Sequence, residues 1–325
     1  MSNTPLHAIA GAGQIGPLVA QRLRARGLRV RLIQRRPPAT VPDGVEVVAA
    51  DLSSESSASE ALRGAAVVYH CANPRYHRWG TELLPLTRGL VGGATRAGAA
   101  LVALDNLYMY GGASPMREDT PVAPASTKGA LRAEAAELML AAGRRGDLRV
   151  TLGRASDFVG PGATLAAIFG ARFWPALLAG KTVDVLGDPD QPHSYSYTPD
   201  VADGLVALGT AAGEAHWGRV WHLPALPATS TRAWVEALAE GAGVRRPVRL
   251  RATPPWLLRA VGLFVPEAGE VVEMLYQWRA PFVLDDSAVR AQLGLSPTPQ
   301  AEVVRATVAW ARAHFARAVV VPQAA

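Results

Sequence analysis

Short apolar runs recur through the first half of the chain, each closed by a polar or glycine break and followed by a longer stretch with helical spacing. Leu6–Ala10 is the first such run, and Pro17–Arg26 follows it with the spacing of an amphipathic helix that Gly27 ends. The same alternation predicts strands at Leu28–Ile33, Val45–Ala49, Ala66–Cys71, Ala99–Leu104 and Leu148–Arg154. It predicts helices near Ser56–Leu62, over Thr81–Ala97 and over Thr127–Ala142, the last rich in Ala, Leu and Glu. Pro37-Pro38 breaks any continuation of the second strand. Strands alternating with helices predict a parallel sheet covered on both faces. After Gly160-Pro161 the rhythm loosens, Pro, Gly and Trp rise, and the elements shorten into a smaller α/β lobe. Val319–Ala325 reads as a loose tail.

The first strand and helix are joined by Gly11-Ala12-Gly13-Gln14-Ile15-Gly16, a G-x-G-x-x-G phrase. Gly11 permits the tight turn, Gly13 leaves the backbone open to phosphate oxygens, and Gly16 lets the helix pack close to the strand. The helix N-terminus adds free N–H groups and the positive end of a dipole. This pattern predicts a doubly wound Rossmann sheet with a dinucleotide-binding domain over residues 1–160. A mainly substrate-binding lobe follows over 161–325, with a stretch near 190–225 returning to the first domain.

At 325 residues, 49% hydrophobic and 18% charged, the chain suits one large or two modest cores. Cys71 is the single cysteine, which excludes an intrachain disulfide and the cysteine–histidine zinc patterns. The seven histidines are scattered, so no metal is expected. The formal charge is +6, yet the 33 basic residues are two lysines, Lys128 and Lys181, and 31 arginines spread over many segments. A general arginine bias explains that spread better than a nucleic-acid partner. The polar start has no leader pattern, and the greasy stretch Trp256–Val265, interrupted by Arg259, is too short to span a bilayer. A cytoplasmic protein with no membrane partner, either monomeric or a homodimer, is the expectation.

Several phrases in order resemble the extended short-chain dehydrogenase/reductases, the group of NAD(P)-dependent epimerases and dehydratases. They are the glycine phrase, Asp51-Leu52, Val67–Ala72, Tyr110-Gly111, Lys128, Arg154, Gly160-Pro161 and Ser196–Ala202. The resemblance covers most of the chain, and Asp105–Gly111 is similar to a divergent bacterial branch. It implies that Asp51 and Leu52 lie at the adenine, that Cys71-Ala72-Asn73 runs along the inner ribose, and that Lys128 binds the nicotinamide ribose. Cys71 there reads as a packed side chain rather than a nucleophile. At the end of the second strand, where an acid would hold a ribose 2′-hydroxyl, stand Gln34, Arg35 and Arg36. Guanidinium groups pair with a 2′-phosphate, so NADP(H) is expected unless the arginines are solvated strand-end charges.

The departures from the family pattern concern proton transfer. Its Tyr-x-x-x-Lys pair becomes Pro124 and Lys128, and its usual serine becomes Asn106. A replacement acid is then needed, with Tyr108 the first candidate and Asn106 a holder of substrate oxygen. Asp157 offers a base or a water anchor. Tyr76, His77, Trp79, His193 and Tyr195 are candidate substrate contacts, for each of which packing or surface exposure is an equal alternative. Tyr110 and the aromatic set Tyr276, Trp278 and Phe282 read as packing. The expected activity is NADPH-dependent reduction of a small carbonyl, imine or activated double bond. The alternatives are a nucleotide-sugar epimerase or dehydratase, which needs a good base, and a non-catalytic NADP(H)-binding sensor.

Overall fold

The computed structural model describes residues 4–36, 42–165, 168–244 and 247–315, so Pro37-Pro38 and Val319–Ala325 lie outside the described residues. The first half runs β1 (Leu6–Ala10), α1 (Gly16–Ala25), β2 (Arg29–Gln34), β3 (Val45–Ala49), α2 (Glu55–Ala61), β4 (Ala65–His70), α3 (Trp79–Ala97), β5 (Ala100–Asp105), α4 (Thr127–Arg144) and β6 (Val150–Arg154). The second half contains short strands β7 (Asp157–Val159), β8 (Val183–Val185), β9 (Pro192–His193), β10 (Tyr195–Tyr197), β11 (Val220–His222), β12 (Thr229–Ser230) and β13 (Leu250–Ala252). Its helices are α5 (Phe173–Leu178), α6 (Thr198–Thr210), α7 (Thr231–Gly241), α8 (Pro255–Gly262), α9 (Pro266–Glu270), α10 (Ser287–Leu293) and α11 (Gln300–Phe315).

Seven strands form the central sheet in the order β11-β6-β5-β4-β1-β2-β3. Every pairing in it is parallel. β1 and β6 are buried along their whole length, as strands covered on both faces must be. One face packs Ala8, Ala10, Val68, Leu101 and Ala103 beneath α2, α3 and α4. The other packs Ile9, Leu32, Tyr69 and Val102 against Val19 and Leu23 of α1 and Val201 and Leu205 of α6. The three-residue β11, absent from the predicted strands, completes the sheet by pairing with β6. Strand order reverses between β1 and β4, and the carboxyl ends of those two strands open the crevice in which such sheets take ligands.

The lobe has a core of its own, built on Phe169, Trp174, Tyr195, Trp234 and Trp278. Ser126 starts α4 by accepting the Gly129 N–H at 3.0 Å, which fixes Thr127 and Lys128 at a helix end facing the crevice.

Candidate active site

The glycine turn at the head of α1 is shaped partly by packing and partly for a ligand. Gly11 has φ +102°, and a Cβ there would stand 2.6 Å from the Ala72 Cα. A Cβ at Gly16 would stand 1.9 Å from the Gly11 carbonyl oxygen, so strand and helix touch backbone to backbone. At Gly13 a Cβ would meet nothing within 4 Å, and the residue is exposed. The chain's own packing therefore demands Gly11 and Gly16, whereas Gly13 leaves an open face at a helix N-terminus, the shape a pyrophosphate fits. Buried Ile15 anchors the turn, and the Gln14 side chain accepts the Leu165 N–H at 2.9 Å.

The rim of this cradle differs in detail from the expectation. Gln34 is engaged within the chain. Its Oε1 accepts the Ala12 N–H at 2.7 Å and its Nε2 donates to the Arg36 carbonyl at 2.9 Å, so it braces the glycine turn. Arg35 and Arg36 are exposed beside it, Arg35 lying 3.8 Å from Glu82. Asp51 is exposed with one oxygen engaged by the Ser53 N–H and hydroxyl, which hold its carboxyl below the usual range. Leu52 is buried behind it. Burial pushes the Cys71 thiol up to about 12, so it is an inert packed group at neutral pH. Asn73 is tied by its Oδ1 to the Arg132 guanidinium at 2.8 Å.

Beyond the cradle Tyr76, Trp79, Asn106, Tyr108, Lys128, Asp157 and Tyr276 cluster together. Lys128 is buried, with its ammonium held by Glu270 and, at 3.3 Å, by Glu273, and lying 4.6 Å from the centre of the Tyr76 ring. Glu273 also accepts the Thr127 N–H at 2.8 Å, capping α4 from outside. Asn106 spends its side-chain oxygen on the Tyr108 N–H at 3.2 Å, leaving its amide NH₂ as the group it can offer. Tyr108 stacks on Trp79 at 6.1 Å between ring centres, and Tyr76 meets the same indole edge-on at 5.0 Å. The Tyr276 hydroxyl reaches the Tyr108 carbonyl at 3.5 Å. Burial, reinforced by the Asp157 charge, raises all three of these tyrosines above their ordinary range, so they stand protonated near neutrality.

Asp157 bonds His193 Nε2 at 2.8 Å, while His193 Nδ1 lies 3.1 Å from the Gln277 carbonyl. Both ring nitrogens are engaged, which fixes the ring between Asp157 and the Gln277 carbonyl. Trp278 stacks flat on that ring at 5.3 Å. Tyr195, expected at the substrate, turns instead into the lobe core, where its hydroxyl bonds Thr231 at 2.8 Å. Tyr110 is structural: its hydroxyl joins Arg154 at 2.6 Å and His222 at 2.9 Å, and Arg154 in turn bonds Asp105 at 3.0 Å. His77 lies at the rim, 2.9 Å from Glu267.

Sequence reasoning missed Arg132, Glu270 and Glu273. Arg132 stands one helical turn after Lys128, 4.3 Å over the Trp79 ring, and its desolvated guanidinium joins the cluster. The i, i+4 spacing from Lys128 could have flagged it. Nothing local ties the two glutamates to a helix some 140 residues earlier.

Several solved structures of similar fold are named for, or were solved with, a sugar nucleotide. MoeE5, solved with UDP-glucose and NAD, superposes with a TM-score of 0.73 at 22% identity, covering 96% of this chain and 99% of its own. UDP-glucose 4-epimerase of Thermotoga maritima, solved with UDP-glucose, gives 0.76 at 16% identity over 95% and 99% of the two chains. DesIV, the dTDP-glucose 4,6-dehydratase of Streptomyces venezuelae solved with NAD, gives 0.75 at 20% identity over 96% and 98%. No curated protein sequence matches the chain. The family model for NAD dependent epimerases and dehydratases matches residues 8–222, from the strand before the glycine turn to the last strand of the sheet, and the chain belongs to that family.

Proposed function

We propose that this chain is a nicotinamide-dinucleotide enzyme of the epimerase/dehydratase type, acting on a nucleotide sugar. The observation that carries the reading is the open Gly13 face at the sheet's switch point, inside the stretch that matches the family, as are Tyr108 and Lys128. Bound in the cradle, the dinucleotide would supply a reversible hydride acceptor. The backbone around Gly13 and the head of α1 would hold its pyrophosphate, Asp51 its adenosine end, and Lys128 its second ribose. Tyr108 takes the proton-exchanging role left vacant at Pro124, with Tyr76 beside it and nearby Asp157 held by His193. The Asn106 amide holds the substrate oxygen. The sugar-nucleotide substrate class rests on UDP-glucose and dTDP-glucose in the names of the structural relatives.

A second reading is NADPH-dependent reduction of a small carbonyl, imine or activated double bond. Two observations support it: Arg35 and Arg36 are exposed just after β2, where guanidinium groups would suit a 2′-phosphate, and burial holds Tyr76, Tyr108 and Tyr276 in the protonated form rather than as a base. To separate the readings, the purified chain is incubated with UDP-glucose or dTDP-glucose and either NAD⁺ or NADP⁺, with the sugar followed by NMR and the coenzyme by absorbance. The expected result is a changed sugar with the coenzyme returned unaltered. Tyr108→Phe should slow turnover by roughly 10²–10⁴-fold without loosening coenzyme binding. Net consumption of NADPH with a carbonyl compound would establish the second reading. An unaltered sugar and unconsumed coenzyme in every combination would overturn both in favour of a dinucleotide sensor.

A further inference from the structure

The stretch Trp256–Val265, too short to cross a bilayer, is the least covered apolar segment among the described residues. It forms α8 and the turn into α9, and it leaves Trp256 67%, Leu257 38%, Leu263 81% and Phe264 87% exposed. Four of the six exposed large hydrophobic side chains among the described residues lie here. Trp256, Ala260 and Leu263 fall at i, i+4 and i+7, so they share one side of the helix, and Leu263 and Phe264 extend that stripe into an apolar tip. Leu258 packs the other way, against the lobe core. α8 and α9 meet backbone to backbone, since a Cβ at Gly262 would stand 2.6 Å from the Gly269 Cα.

The acids that follow this tip, Glu267 and Glu270 of α9, are engaged by His77 and Lys128, whereas the stretch before it is basic. From Gly241 to Pro266 the sequence holds five arginines and no aspartate or glutamate. Arg245 and Arg246 lie outside the described residues, and Arg249, Arg251 and Arg259 are exposed. Among the described residues only Arg251 of these three has an acidic partner, Asp184 at 2.6 Å. Protruding Trp, Leu and Phe flanked by unpaired arginines is the pattern of an interfacial anchor: the apolar tip enters the acyl boundary and the guanidinium groups meet phosphates.

We propose that the α8–α9 hairpin docks this chain peripherally on an anionic phospholipid surface, with Leu263 and Phe264 inserted and Arg249 and Arg259 at the headgroups. Among the described residues no helix is long and apolar enough to cross a bilayer, so a peripheral anchor is the mode that the short Trp256–Val265 allows. A second copy of the chain is the poorer occupant, because a two-fold contact would set the same arginines face to face. The docking stands apart from the reaction proposed above. It does orient the candidate site, since α9 carries Glu270 to Lys128 and thereby ties the anchor to the active-site rim.

The test is sedimentation of the full chain with vesicles of phosphatidylcholine alone or of phosphatidylcholine mixed with phosphatidylglycerol, at low and high salt. Expected is binding at least about tenfold tighter to the anionic vesicles, weakened by salt. Leu263→Ser/Phe264→Ser should weaken that binding by about tenfold or more with the melting temperature unchanged. Arg249→Glu/Arg259→Glu should erase the preference for the anionic lipid. No vesicle binding, equal binding to both vesicle types, or full retention by the serine variant would overturn the proposal. So would conversion of a dimer to a monomer by the serine variant, which would assign the tip to a second copy. None of these readouts uses coenzyme or sugar, so they stand or fall independently of the reaction.

Discussion

Pro124 takes away the group that would exchange a proton one turn before Lys128, and several groups of the same region are buried titratable side chains with shifted pKa values. His70, at the end of β4, is one of them. Burial, aided by the Arg132 charge, pushes its pKa down to about 3 from 6.5, and its Nδ1 has no hydrogen-bond partner. The folded chain therefore refuses a proton that the unfolded chain accepts once the pH falls below 6.5. Stability that is full above that pH is lost progressively toward pH 3, by roughly 1.4 kcal/mol per pH unit for this one group. Denaturant titrations at a series of pH values should show the midpoint falling between pH 6.5 and 5, and His70→Leu should flatten the slope by about one proton. The lowered pKa values of His7 and His222 leave the remainder of the slope in place. An unchanged slope in the variant would remove His70 from the acid response.

The element that most alters the site is the one the linear pattern could least reveal. Glu267, Glu270 and Glu273 are spaced three apart on α9 and the turn of 3₁₀ helix that follows (Val272–Trp278). Locally that spacing describes a solvated face. In the fold all three reach back, to His77, Lys128 and the Thr127 N–H. Replacing Glu270 and Glu273 together by Gln leaves the Lys128 ammonium buried without a counter-charge. Both carboxylates are partly exposed, at 37% and 29%, so the loss should be about 1–2 kcal/mol, less than for a fully buried pair. Adding Lys128→Met should return most of it, a coupling that a double-mutant cycle of denaturation curves resolves. Strictly additive losses would mean that the lysine finds compensation elsewhere. The same contrast of range explains what else was legible. β1, α1 and the glycine turn were, because apolar period and turn chemistry are encoded within a few neighbours. β11 was not, because three residues carry no period and only pairing with β6 makes them a strand. Tyr195 was misplaced toward the substrate because the phrase around it marks the loop but not which way a ring turns.

For the whole molecule, the order of the strands matters more than any one contact. The reversal between β1 and β4 opens a crevice at the carboxyl ends of those strands, with the uncovered Gly13 face beside it. A dinucleotide that fills such a crevice binds the folded chain and has nothing to hold in the unfolded one, so it must raise the melting temperature. At one hundred times its dissociation constant the stabilisation is about 2.7 kcal/mol, which for a chain of this size is a rise of roughly 5 °C. The choice of coenzyme is then readable without any substrate. Relatives solved with NAD argue for the plain form, whereas Gln34, Arg35 and Arg36 argue for the 2′-phosphorylated one by charge. Thermal melts across matched series of NAD⁺ and NADP⁺ should show NADP⁺ acting at the lower concentration. Arg35→Glu/Arg36→Glu should reverse that order by about tenfold or more, because two repelling carboxylates would replace two pairing guanidinium groups. The exposure of both arginines means that the variant leaves the unliganded melting temperature nearly unchanged. An NAD⁺ preference that survives the exchange would show the arginines to be solvated charges at a strand end, with selectivity set by the bracing of Gln34 against the glycine turn.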